Sequence, residues 1–166
     1  MIIDCHGHYT TAPKQLQEFR DAQLAGSAPQ LARISDDELR DSVETNQLRI
    51  LRERGGDLMI FSPKASGMEH HVTDPSVAGA WARASNDLVA RVADLYPDTF
   101  AGVCQLPQTP GGALDDVVAE LRRCVEEREA GVRDRYRAGE LGLDMNDMRP
   151  RLAAKGLTYV EQEPPR

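Results

Sequence analysis

Short apolar runs alternate with longer amphipathic stretches along this chain. The first run, Met1-Ile2-Ile3, passes directly into Asp4-Cys5-His6-Gly7-His8. The second, Leu58-Met59-Ile60-Phe61, is continuously apolar, as expected of a strand buried on both faces. The third, Phe100-Ala101-Gly102-Val103-Cys104-Gln105, is closed by Leu106-Pro107. The stretches between them repeat at helical period. Ser35-Asp36-Asp37-Glu38 is a capping box, with Ile34 and Leu39 placed as its hydrophobic staple. The helix it starts carries Leu39, Val43, Ile50 and Leu51 on one stripe and stops at Gly55-Gly56. Asp74-Pro75 starts a second helix, aspartate as cap and proline at the first helical position. Its buried stripe is Val77, Trp81, Leu88, Val92 and Leu95, and Tyr96-Pro97 ends it. A third helix runs from about Gly112 to Glu129, with Leu114, Val117, Val118, Leu121 and Val125 expected inward.

Strand and helix therefore alternate three times. Repeated βα units need right-handed crossovers, which predicts an α/β fold whose parallel strands follow sequence order with helices on one side. Tyr9 to Arg33, containing the weakly helical Lys14–Leu24, is a long excursion after the first strand. In such folds the chemistry collects at the carboxyl ends of the strands. His6 and His8, the Lys64–His71 loop and the Gln105–Gly111 loop all fall at that end. Beyond Glu129 no apolar stripe is sustained. The expected division is an organised part over 1–129 and an irregular tail over 130–166, poorly packed and mobile, in which Arg151–Lys155 can form a short helix and Leu157–Val160 a strand.

With 166 residues the chain is long enough for one real core. A net charge of −7 and the lack of any basic block speak against a nucleic-acid surface. No run of about 20 apolar residues is present to span a membrane, and no basic-then-apolar leader opens the sequence. Cys5, Cys104 and Cys124 are an odd, unclustered set, expected as buried free thiols in a reducing compartment. These features together predict a soluble cytoplasmic protein.

The candidate chemistry starts at the first strand. Regular alternation puts Asp4, His6 and His8 on one face and Ile3, Cys5 and Gly7 on the other, toward the packing. Two neighbouring imidazoles can hold one metal ion, and Asp4 can orient a ligand from behind. Lys64 and Ser66 follow the second strand, as a cation and a hydroxyl suited to a polyanionic substrate or as ordinary surface residues. His70 and His71 are either further members of that site or solvated loop histidines. Gln105 either reaches the pocket or satisfies loop backbone. Trp81 is core. Asp36-Asp37 and Asp115-Asp116 begin helices, where they favour the helix dipole rather than form a catalytic pair.

Ile2-Ile3-Asp4-Cys5-His6-Gly7-His8-Tyr9 resembles the metal-binding first strand of the amidohydrolase-related superfamily, in the branch of aminocarboxymuconate-semialdehyde decarboxylase. Within it, Asp57 to Ser66 followed by His70-His71 is most similar to the 4-oxalomesaconate hydratases. So are Ala84-Ser85-Asn86-Asp87-Leu88, Tyr96-Pro97-Asp98-Thr99-Phe100 and Cys104-Gln105-Leu106-Pro107-Gln108. The resemblance covers residues 1 to about 127. It implies a metal-dependent (β/α)₈ TIM barrel, a divalent metal (zinc expected) on His6 and His8, and a small polycarboxylate substrate met by Lys64, Ser66, His70 and His71. The implied reaction is hydration of an unsaturated oxo-tricarboxylate in aromatic-compound catabolism. Decarboxylation or hydrolysis on the same scaffold is the alternative, and a non-catalytic remnant is another.

The chain departs from that family. A full barrel takes eight strands and about 250 residues, whereas three firm strands are legible here. No histidine follows residue 71, so the family's later ligands have no counterpart. The expectation is a partial barrel, truncated relative to the family and inactive alone. It should bind zinc weakly, since two histidines are an incomplete set, and self-associate through its open sheet edge.

Overall fold

The computed structural model describes residues 2–64, 67 and 71–137, with backbone alone for 127–137. Ser66, His70 and the tail from 138 to 166, including the short helix and strand expected there, lie outside the described residues. The chain divides into two compact units, Met1–Val125 and Glu126–Arg166.

The first unit holds a three-stranded parallel sheet in the order β1 (Ile3–His8), β2 (Leu58–Ser62), β3 (Phe100–Gly102). Helices follow each strand: α1 (Lys14–Leu24), α2 (Asp36–Val43) continued by a π-helical turn (Glu44–Leu48) into α3 (Arg49–Glu53), α4 (Pro75–Leu95) and α5 (Leu114–Arg137). This is an α/β fold made of the first three βα units of a (β/α)₈ barrel. The third strand stops at Gly102, short of Gln105, and α5 runs past Glu129 to Arg137.

The helix starts follow from local chemistry. Ser35 Oγ accepts the Glu38 amide while Glu38 accepts the Ser35 amide at 2.8 Å, closing the capping box, and Ile34 and Leu39 are buried beside it. Asp74 accepts the Ser76 amide at 2.9 Å ahead of Pro75. At the other end of the α2–α3 run, Gly55 takes φ of 67°, a left-handed conformation open to glycine at little cost.

The core lies on one face of the sheet. Met59 and Phe61 of β2 and Phe100 of β3 meet Leu39, Val43 and Leu48 from the α2–π turn run and Trp81, Leu88, Val89 and Val92 from α4. Phe61 is fully buried, its ring 4.6 Å from Phe100 and 5.0 Å from Tyr9. Each such side chain contributes about 1.5–3 kcal/mol of burial. The π turn alters the expected stripe. Its extra residue per turn brings Leu48 into the core with Leu39 and Val43, Leu51 stays buried, and Ile50 is left half-buried. α1 packs Leu16, Phe19, Arg20 and Gln23 inward, and the Arg20 guanidinium sits 5.0 Å from the Trp81 ring.

Two expectations about burial fail. Leu114, Val118, Leu121 and Val125 of α5 are exposed, Leu114 by 76%. The inward residues of this helix are Glu120, buried, with Cys124 and, as expected, Val117 half-buried. Periodicity located an apolar stripe correctly and assigned it the wrong side. The thiols also differ: all three are free, but Cys5 is exposed and Cys104 and Cys124 are half-buried.

Candidate metal and substrate site

β1 is not a regular strand, and this decides which side chains meet. Asp4 pairs with Met59 and Gly7 with Phe61, so the ladder shifts register between Asp4 and Gly7. Residues paired across strands share a face. Gly7, like Asp4, therefore stands on the core face with Met59 and Phe61, while His8 stands with Ser62 on the open face. The predicted grouping of Asp4 with both histidines does not form, and Ile3, paired with Leu58, is exposed rather than packed. The Asp4 carboxylate instead accepts the His6 amide at 2.9 Å, holding the backbone within the shift. At Gly7 a Cβ would come within 2.4 Å of Met59 Cγ and 2.7 Å of the Ile60 carbonyl. Only glycine fits between the histidines.

His6, within the shift, is exposed and His8, past it, is half-buried, their rings perpendicular with centroids 4.8 Å apart. Two imidazoles sharing one tetrahedral ion at about 2.0–2.1 Å would have centroids about 5 Å apart. The spacing of the pair matches that of two imidazole ligands of one divalent metal. Among the described residues no group of three or more His, Cys, Asp or Glu assembles around an ion position, and His71 is not gathered to the pair in such a group.

The backbone around His8 is braced from three directions. The Tyr9 amide donates to the Ser62 carbonyl at 2.8 Å, and the Thr10 amide to the His8 carbonyl at 2.8 Å. Gln47, buried in the π turn, donates to the His8 carbonyl and accepts from Thr11 Oγ1 at 2.7 Å. Tyr9 is tied to α2 just ahead of that turn, donating to Ser42 Oγ at 2.6 Å, and burial pushes its phenol up to about 12, so it stays neutral. The His8 side chain is held too: Nδ1 lies 2.7 Å from Ser62 Oγ, which also lies 3.0 Å from the Gly7 carbonyl.

Lys64 follows β2 and is exposed. It lines a cavity of about 330 Å³ with Trp81, Tyr9, Thr10, Gly67 and Arg20, the last buried against Trp81 and bonded to Gln23. The described lining does not include the histidine pair. Gln105, the third strand's candidate, has its main chain pinned: Asn86 of α4 accepts its amide at 2.7 Å and donates to its carbonyl at 2.9 Å. Asn86 also donates to Glu120 at 2.8 Å, and Glu120 binds Arg123, which reaches Asp87. Burial would raise the Glu120 carboxyl, but the hydrogen bonds from Arg123 and Asn86 outweigh it and hold the group below the usual carboxylate range. Burial and the Glu120 charge push the Cys124 thiol up to about 12, which leaves it unreactive. Sequence reasoning missed Ser62, Gln47, Asn86 and Glu120. The one available signal was Asn86, a polar residue inside the buried period of α4.

Comparison with known proteins places this geometry. The family described as Amidohydrolase matches residues 3–156. A 2-keto-4-carboxy-3-hexenedioate hydratase of Sphingobium sp. (strain NBRC 103272 / SYK-6) is 56% identical over 132 residues, 76% of this chain and 39% of the relative. The crystal structure of the 4-oxalomesaconate hydratase LigJ from Rhodopseudomonas palustris superposes with a TM-score of 0.70 at 45% identity, over 76% of this chain and 40% of the other. A dihydroxybenzoic acid decarboxylase from Polaromonas sp. JS666, solved with bound manganese and the inhibitor 2-nitroresorcinol, gives 0.50 at 25% identity over 76% of this chain and 35% of the other. The chain spans about two-fifths of the hydratases it matches.

Proposed function

Since the chain belongs to the amidohydrolase family, we propose that it is the metal-bearing first part of a hydratase barrel that adds water to an unsaturated oxo-tricarboxylate in aromatic-compound catabolism. The observation that carries this reading is the 56% identity to a hydratase over 132 residues, beside a family match over residues 3–156 that includes the paired histidines. Identity to the decarboxylase is only 25%, so hydration is favoured over loss of carbon dioxide.

His6 and His8 would hold the divalent metal, zinc in our reading, through ring nitrogens at the carboxyl end of β1. Bound there, the metal would polarise a substrate carbonyl or lower the pKa of a water. Lys64 attracts a substrate carboxylate in the cavity it lines as a point charge. Ser66, His70 and His71 remain candidates for the other carboxylates. Hydration places a hydroxyl on one alkene carbon and a proton on the other, so no redox partner is required.

The organised part over 1–129 carries these groups, and the tail over 130–166 contributes none of them. Two features support self-association: among the described residues β1 and β3 have no strand on their outer edges, and Ile2 and Ile3 are exposed. Sedimentation velocity over a concentration series should show it, and a monomer throughout would remove it. No helix among the described residues is long and apolar enough to cross a membrane. The free cysteines support a cytoplasmic setting.

Two incomplete halves of one site test the function. The chain alone should bind zinc weakly, lose that binding in His6→Ala, and show no turnover of 4-oxalomesaconate. Mixed with the remaining portion of the Sphingobium hydratase as a separate polypeptide, it should yield the hydrated acid, again abolished by His6→Ala. Hydration indifferent to His6→Ala, or carbon dioxide as the product, would overturn the reading.

A further inference from the structure

The two contacts of Ser62 Oγ constrain a proton that sequence cannot place. A serine hydroxyl carries one hydrogen and can accept others. The Gly7 carbonyl, 3.0 Å away, can only accept, so that bond uses the Ser62 proton. Ser62 Oγ then meets His8 Nδ1, 2.7 Å away, as an acceptor. The two contacts are satisfied together only when Nδ1 carries the imidazole proton. In the neutral ring, Nε2 is then the nitrogen with the free lone pair. Free neutral histidine favours the opposite tautomer, with its proton on Nε2.

We infer that Ser62 is a positioning residue that sets the His8 tautomer, presenting Nε2 as the metal-binding nitrogen before any metal arrives. The geometry behind Ser62 is rigid. It is the register partner of His8, its own carbonyl holds the Tyr9 amide at 2.8 Å, and its proton is directed to the residue between the two histidines. One hydroxyl thus fixes the ring and ties it to the backbone on the near side of the pair. Partners of this kind raise ligand basicity and fix ring orientation. The step that needs a metal rests on the reading of His6 and His8 given above. The tautomer does not.

The test separates the two. Protein labelled with ¹⁵N in histidine is examined without metal by long-range ¹H–¹⁵N correlation at about pH 8.5, where imidazole is neutral. His8→Gln identifies the His8 signals. Wild type should show His8 protonated at Nδ1, Ser62→Ala should move the majority to Nε2, and Ser62→Thr, which keeps the hydroxyl, should retain the wild-type pattern. In parallel, Ser62→Ala should weaken zinc binding about 10–100-fold, with Ser62→Thr close to wild type. An Nε2-protonated His8 in wild type, or one unchanged by Ser62→Ala, overturns the assignment to Ser62. Should His6→Ala leave zinc binding intact while the tautomer shifts as expected, the metal reading falls and the role of Ser62 stands.

Discussion

α4 and α5 are both long amphipathic helices, yet they are held by different physics. α4 buries Ala78, Trp81, Ala82, Leu88, Val89 and Val92 against the sheet and α2, so apolar burial holds it. α5 turns its apolar stripe to solvent and is fixed by a polar network: Glu120 at 5% exposure, bonded to Asn86 of α4 and to Arg123, which reaches Asp87. An apolar stripe shows that a helix has something to bury. It does not show that the partner is within reach. The first helix has found its cover, and the second is anchored by charge and hydrogen bonds that must remain paired to be tolerated.

The sharpest way to break this contrast is through Trp81. Trp81→Ala removes a side chain that is 3% exposed and supports Arg20, and should cost about 3–5 kcal/mol in urea unfolding. A loss under about 1 kcal/mol would mean that α4 is not held by burial after all.

Next comes Glu120→Gln, which removes the charge but keeps much of the shape. It should cost about 1–3 kcal/mol near neutral pH, because Arg123 loses its buried partner. Its pH dependence has a definite sign. The folded-state pKa of Glu120 lies below the ordinary value, so its stabilisation is full above the unfolded pKa, about 4.3, and is lost as pH falls through the folded value. The gap between wild type and variant should therefore close in acid. A gap that stays constant with pH would assign the cost to packing.

The smallest expected effect is Val118→Ser on the exposed stripe, within about 0.5 kcal/mol. A loss above about 1 kcal/mol, growing with protein concentration, would show that the stripe is covered by a second copy in solution.

Much of the fold is legible because its signals are local. The Ser35 capping box, the Asp74-Pro75 start and the three apolar runs each depend on a few adjacent residues, and the parallel order follows from their alternation. Three features depend on something local patterning does not contain. The register shift in β1 adds an unpaired residue, which invalidates counting faces by alternation and separates Asp4 from His8. The π turn makes the same kind of insertion in a helix, bringing Leu48 inward and Gln47 onto the His8 turn. The exposure of the α5 stripe depends on what stands opposite. At the site, His6 and His8 are legible as a pair, whereas Ser62 is a strand-end serine like any other until its register partner is known.

The closed space at Gly7 bears on how a mutational survey of this chain should be interpreted. Any side chain there must displace both Met59 and the β2 backbone at the Ile60 carbonyl, so every substitution disturbs the pairing of β1 with β2 on which both histidines stand. A screen scored on zinc binding alone would rank Gly7 beside His6 and His8, although glycine offers no side chain to a metal. Scoring abundance together with zinc binding should separate them: histidine variants are expected to keep the protein and lose the metal, and glycine variants to lose both.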